Sequence, residues 1–195
     1  MSNDGTVTAS PGGDDYIVYA DTYTMVSRRS REMEIREFLA LPPFGRRNVP
    51  DDEIKLFSIA LTHDSYANEE ISRNASDTIS NERLEFLGDA VMDLTVCEFI
   101  YSNTELKEGA MTELKNDIVC NRNISSRATE FGIRLDDVLL VGKGHREKRT
   151  GDNVIEENMR ADAFEAVLGA VYILYGLDEA RRIVREVFLI PQDVV

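Results

Sequence analysis

Between Asn81 and Asp93 the chain places four carboxylates, Glu82, Glu85, Asp89 and Asp93, three and four residues apart, so on a helix they share one face. Such a column of like charges costs roughly a few tenths of a kcal/mol per i,i+4 pair even in an isolated helix. Asp162 and Glu165 repeat the device beside Phe164, Val167, Leu168 and Val171. Taken singly, each of these acids reads as a solvated surface charge. The setting argues otherwise, because both segments are too apolar to be wholly exposed, and acids enter an interior only when paired or bound to a metal. Two apolar helices that each carry an acidic stripe invite a shared cation. With only His63 and His145, and with Cys97 and Cys120 too few and too far apart for a disulfide scaffold or a zinc knuckle, that cation would be held mainly by oxygen. Oxygen ligands suit a hard ion, Mg²⁺ above all.

The elements that must position these acids are helical. A length of 195 residues with 43% hydrophobic content fits one compact domain. Residues 1–27, rich in Gly, Ser, Thr and Asp, read as a flexible arm, and residues 28–191 as the folded domain. Met33, Ile35, Phe38 and Leu39 form the face of a helix from about Ser30 that Pro42 and Pro43 end, and a second helix starts at Asp51 and Asp52. The polar stretch His63–Ser80 reads as a loop in its middle. From Asn81 to about Ile100, Leu84, Leu87, Val91 and Leu94 recur as one apolar stripe, so this helix should be buried. Further helices are expected at Thr112–Asn121, Asn123–Phe131 with Gly132 as a stop, Asn158–Tyr175 with Gly176 as a stop, and Asp178–Val187. No segment alternates as a strand, which makes the fold class an all-α bundle. The longest apolar run, Ala166–Leu177, falls short of the ~20 residues that span a bilayer, so a soluble, cytoplasmic protein without a membrane partner is expected.

Charge alone argues against nucleic acid: 36 acidic against 22 basic residues leave a net charge of −14. The basic residues are 17 Arg and only 5 Lys, a bias that suits concentrated salt and equally fits compositional drift.

A specific signal overturns the charge argument. Asn81–Val91 reads NERLEFLGDAV and closely resembles the signature of the ribonuclease III family, endonucleases that cut double-stranded RNA. LTHDSYANE at Leu61–Glu69, EGAMTELKNDIV at Glu108–Val119, GKG at Gly142–Gly144 and ADAFEAVLGAVY at Ala161–Tyr172 resemble further family segments in the same order. The resemblance implies that residues 28–191 are the catalytic domain, a helical bundle acting as a two-fold homodimer. It implies that Glu85, Asp89, Asp162 and Glu165 are the catalytic carboxylates and metal ligands, with Mg²⁺ as cofactor and Mn²⁺ as a possible substitute. Phosphodiester hydrolysis by two such ions roughly 4 Å apart would follow, one lowering the pKa of its water and the other stabilising the leaving 3′ oxygen. On the same resemblance Glu165 bridges the ions, Asp89 helps to position the water, and the products are duplexes with 5′-phosphates, 3′-hydroxyls and short 3′ overhangs, as in ribosomal RNA processing.

Glu82 and Glu108 match acidic positions at or near the RNA-cleavage site, whereas Asp93 falls where the family has no fixed acid and reads as a surface charge. Phe86 lies off the Leu84/Leu87 stripe, and the resemblance makes it a dimer contact. Local positive patches would have to offset the net charge. KGHREKR, with Lys143, Arg146 and Arg149, is the first candidate for RNA contact; Arg28, Arg29 and Arg31 form a second, and Arg181, Arg182 and Arg185 a third that also reads as an exposed helix face. Bacterial members continue into a double-stranded RNA-binding domain, and residues after Pro191 are not expected to form one. A non-cleaving binder of double-stranded RNA, or a structural ribonucleoprotein subunit on the same fold, is the alternative. Such degenerate relatives usually lose acids, and here the set is complete.

Overall fold

A computed structural model describes residues 21–74, 78–145 and 154–189. Helices α1 (Asp21–Ala40), α2 (Asp51–Ala60) and α3 (Asp64–Asn74) precede the long α4 (Glu82–Asn103); α5 (Glu108–Val119), α6 (Asn121–Phe131) and the single turn α7 (Leu135–Val138) follow. A 3₁₀ turn at Lys143–His145 leads toward α8 (Glu157–Tyr175), α9 (Leu177–Val184) and a π-helical turn at Arg185–Leu189. No strand is present among the described residues beyond one isolated parallel bridge, Thr62 with Leu140. The chain is all-α, as its periodicity predicts.

The bundle is organised around α8. Every residue from Ala163 to Val171 is buried, and α4, α6, α9 and α2 pack around it. A buried run of this length, apolar but for Glu165, can only be a central helix, since a surface helix needs a polar face. Phe57, Phe164, Leu168, Met92, Ile100 and Ile124 fill the space between these helices. Gly132 (φ +90°) and Gly176 (φ +84°) end α6 and α8 in the left-handed region that favours glycine. None of the described helices is long and apolar enough to cross a membrane.

Four expectations need correction. Helix α1 starts at Asp21 rather than near Ser30, because the stretch from Asp21 contains no Gly or Pro to stop it; residues 1–20 of the expected arm lie outside the described residues. The expected loop after His63 is instead α3, a helix that buries only Ala67 and so carries almost no apolar period. Helix α5 begins four residues before the expected Thr112, at Glu108. On α4, Leu84 and Val91 are buried with Gly88, Met92, Val96 and Ile100, but Leu94 is 47% exposed. The buried face is centred on Gly88 and Met92, a rotation that brings α4 closer to α8 than a leucine seam would allow.

Candidate functional site

Helices α4 and α8 meet backbone to backbone. A Cβ at Gly88 would lie 1.7 Å from the Glu165 carbonyl oxygen, and one at Gly169 would lie 2.3 Å from that of Leu84. Only glycine at both positions permits this crossing. Glu85 sits one turn before Gly88 and Glu165 one turn before Gly169, so the approach that the glycines permit also drives the acids together. Glu85, Asp162 and Glu165 each present a carboxylate oxygen, all within 4.8 Å of one another. The start of α4 is fixed independently: the Asn81 N–H donates to the Thr62 carbonyl (2.9 Å), and the Asn81 carbonyl accepts from the amides of Leu84 and Glu85 (both 2.9 Å).

The electrostatics are those of an unneutralised cluster. Glu165 is 6% exposed, the only fully buried charged residue among those described. Burial, reinforced by the charges of Asp89, Asp162 and Glu85, pushes its carboxyl up to about 8. Glu85 is pushed up to about 7 by desolvation and by Asp162, Glu82, Asp89 and Asp64. Burial also raises Asp162, with the charge of His63 partly opposing it. Among the described residues no donor hydrogen-bonds to the Glu85 or Glu165 carboxylate, and neither they nor Asp162 forms an ion pair. Three converging oxygen donors with no cationic partner among the described residues fit a hard divalent cation, whereas a structural role would require a cationic side chain.

The other expected residues are distributed around this centre. Asp89 is exposed, one turn beyond Glu85; it lies outside the tight group, although its charge acts on Glu165. Asp93 differs from the expected free surface charge: it is half-buried and accepts from Lys115 Nζ at 2.9 Å, and its second oxygen is buried without a partner. Glu82 is exposed, accepts from Ser80 Oγ (2.9 Å), and contributes to the shift of Glu85. Glu108 opens α5 and lines a groove with Cys97, Tyr101 and Lys115, apart from the cluster. Phe86 is 80% exposed, on the same side of α4 as exposed Leu94 and Tyr101. Lys143 is exposed in the 3₁₀ turn; Arg146 and Arg149 lie outside the described residues.

Members of two expected basic patches are committed elsewhere; the side chains of Arg28 and Arg29 lie outside the described ones. Arg31 is largely buried and donates to the Leu61 carbonyl at 3.2 Å. Arg181 is bonded to Glu98 (2.8 Å), and Arg182 reaches the Pro43 carbonyl (2.6 Å) while pairing with Glu179 and Glu186. These guanidinium groups tie helices together, although Arg182, like Arg185, remains exposed.

His63, Asp64 and Lys115 were assigned no role from the sequence. His63 and Asp64 act on the charge of Asp162, and Lys115 on that of Asp89. The segment LTHDSYANE was the available signal for the first two, since it precedes the acidic block in the right order.

Residues 53–191 match the family described as Ribonuclease-III-like. Ribonuclease 3 of Onion yellows phytoplasma (strain OY-M) is 35% identical over 146 residues, covering 75% of this chain and 57% of that protein. Ribonuclease 3 of Oceanobacillus iheyensis is 44% identical over 124 residues, covering 63% of this chain and 51% of that protein. The chain thus spans about half the length of the curated relatives it matches. Among solved structures, the nuclease domain of ribonuclease III from Campylobacter jejuni is similar, with a TM-score of 0.59 and 27% identity over 80% of this chain and 98% of that one; structural flexibility was described there in a region involved in dimer formation.

Proposed function

The chain belongs to the ribonuclease III family, and from that membership we propose that it is a Mg²⁺-dependent endoribonuclease that hydrolyses double-stranded RNA to 5′-phosphate and 3′-hydroxyl products with short 3′ overhangs. The observation that carries this reading is the convergence of Glu85, Asp162 and buried Glu165 within 4.8 Å, with no cationic side chain among the described residues paired to any of them. Residues 28–191 form the catalytic domain, acting in the cytoplasm on RNA precursors such as those of ribosomal RNA.

Glu85, Asp162 and Glu165 would hold the metal, with Asp89 at the edge of the site. When bound, divalent cations, two in the proposed mechanism, supply a water of lowered pKa and stabilise charge on the leaving oxygen. The residues supply fixed oxygen donors, which the glycine crossing pre-positions, and a buried floor at Glu165 that excludes bulk water. Their raised pKa values mean that protons compete for the same oxygens in mild acid. The exposed side of α4, with Phe86, Leu94 and Tyr101, is the face on which a second copy docks.

The test is cleavage of a long perfect RNA duplex in Mg²⁺ or EDTA by the parent chain and by Glu165→Gln. Short duplexes from the parent in Mg²⁺ alone, and none from the variant, support the reading. A duplex that is bound but left uncut under every condition would replace it with that of a non-cleaving binder.

A further inference from the structure

Resting on the nuclease reading, we propose that Ser65 and Glu69 of α3 are positioning residues for substrate: they fix the backbone of the Gly142–His145 turn so that Lys143 meets the phosphates of the duplex beside the carboxylate cluster. Two successive amides of the turn are captured by one helix. The Gly142 N–H donates to Ser65 Oγ (3.0 Å) and the Lys143 N–H to Glu69 Oε1 (2.5 Å). Glycine is required for this docking, because a Cβ at Gly142 would lie 2.6 Å from Glu69 Oε1 and 2.8 Å from the Ser65 carbonyl oxygen.

The same segment is tied to the catalytic side of the molecule at both ends. Just before the turn, Leu140 donates to the Leu61 carbonyl and accepts from the His63 amide, both at 3.0 Å. At its end the His145 ring meets the His63 ring edge-on at 6.0 Å between centroids. Ser65 Oγ is itself 2.8 Å from His63 Nδ1, and the charge of His63 acts on Asp162. A displacement of α3 would therefore move the turn relative to the cluster.

Glu69 is suited to holding rather than to chemistry. One carboxylate oxygen takes the Lys143 amide and the other takes Arg73 Nη2 (2.6 Å), so both are engaged within the chain rather than turned to a metal ion or a substrate. The Lys143 ammonium, by contrast, is exposed and forms no ion pair with a described residue. In a chain of net charge −14, whose long-range field opposes phosphate, the placement of a single free cation carries unusual weight.

The experiment compares the full chain with Glu69→Ala, Glu69→Gln, Lys143→Ala and the Glu69→Ala/Lys143→Ala double variant. Amide hydrogen exchange, binding of a short RNA duplex in EDTA, and KM and kcat in Mg²⁺ are measured. In Glu69→Ala the Lys143 amide should exchange about tenfold faster or more, since a hydrogen bond to a charged acceptor is lost. Duplex binding should weaken to the level of Lys143→Ala, with KM raised and kcat within about twofold of the parent. The double variant should bind no worse than Lys143→Ala alone, because the two side chains act through one contact. Glu69→Gln, which keeps an acceptor oxygen, should recover most of the loss. Additive losses in the double variant, a fall in kcat at unchanged KM, or unchanged exchange at Lys143 would each overturn the proposal. A parent chain that neither binds nor cuts the duplex would overturn the nuclease reading itself, a distinct result that removes the proposal with it.

Discussion

Along the N-terminal half of α8, Asp162 and Glu165 face Glu85 with no cationic side chain among the described residues paired to any of them, and Glu165 is pushed up to about 8. At the other end of the same helix the acids are answered one by one. Tyr175 donates its hydroxyl to Glu53, Arg46 lies 3.6 Å over the Tyr175 ring and pairs with Glu179 at 3.0 Å, and Glu179 also takes Arg182 at 2.9 Å. There the bond to Arg182 leads the forces that hold Glu179 below its ordinary value. Both regions pack on one core, so burial alone does not separate them. What separates them is partnership: one end of α8 has its charges neutralised by arginines, and at the other no described residue neutralises them. Carboxylates that are buried, mutually repelling and unpaired mark a site of chemistry rather than of support.

The sharpest way to break this contrast is Glu165→Gln, which keeps shape and removes charge. Duplex cleavage should fall by about a thousandfold, a loss of the size seen when a key stabiliser of transition-state charge is removed. The metal-free variant should at the same time unfold at a higher temperature than the parent at pH 9, since one repelling charge is gone. Near-parental cleavage would remove Glu165 from the site.

Next in size is the crossing that builds the cluster. Gly88→Ala places a methyl group 1.7 Å from the Glu165 carbonyl oxygen, so the helices must part. We expect a loss of about 3 kcal/mol in urea unfolding, at the upper end for overpacking. Gly176→Ala, strained at φ +84° but with nothing within 4 Å, should cost only about 1 kcal/mol. Equal losses would mean that the close approach is not what sets the cluster.

Gly88 and Gly169, the glycines of the crossing, also mark the limit of what the sequence discloses. The acidic residues were legible because 82, 85, 89 and 162, 165 obey helical spacing, and the long buried α8 was legible because only Glu165 interrupts the apolar run Ala163–Val171. The crossing was not, since a glycine inside a helix does not name the backbone it will touch. Leu94 was misplaced because the apolar period tracks leucines, while the true contact face follows Gly88. Helix α3 was missed because DSYANEEISRN buries one alanine and is held by bonds to Gly142 and Lys143, more than 70 residues away. Arg31 and Arg182 read as free basic residues for the same reason, their acceptors lying 30 and 139 residues distant.

The pH dependence should separate the two ends by a smaller margin. Glu165 and Glu85 have folded values near 8 and 7 against an ordinary value of 4.5, so the folded state binds the extra protons. Their contribution is harmless below about pH 4.5 and becomes destabilising as pH rises through 7 and 8. In EDTA the thermal midpoint should fall across that interval, and added Mg²⁺ should restore it more at pH 8.5 than at pH 6, where protons occupy the donors. A metal-induced shift that is the same at both pH values would contradict the assignment of these acids as ligands. Cleavage at subsaturating Mg²⁺ should weaken over the same range as pH falls.

The smallest effect is expected at the neutralised end. Glu179→Gln removes a charge shared by Arg46 and Arg182, both partly exposed, so the loss should be about 0.5–1 kcal/mol, the range for such pairs. The folded value of Glu179 is lowered, so its contribution is present above the ordinary range and is lost as pH falls through that folded value. The difference in stability between parent and variant should therefore shrink in acid, opposite in sign to the trend at Glu165. Cleavage and the Mg²⁺-induced shift should match the parent, because the cation that Glu179 requires is already supplied by arginine. If Glu179→Gln impaired metal-dependent stabilisation, the two ends of α8 would be coupled through the helix, and the division between a self-sufficient and a cation-requiring half would fail.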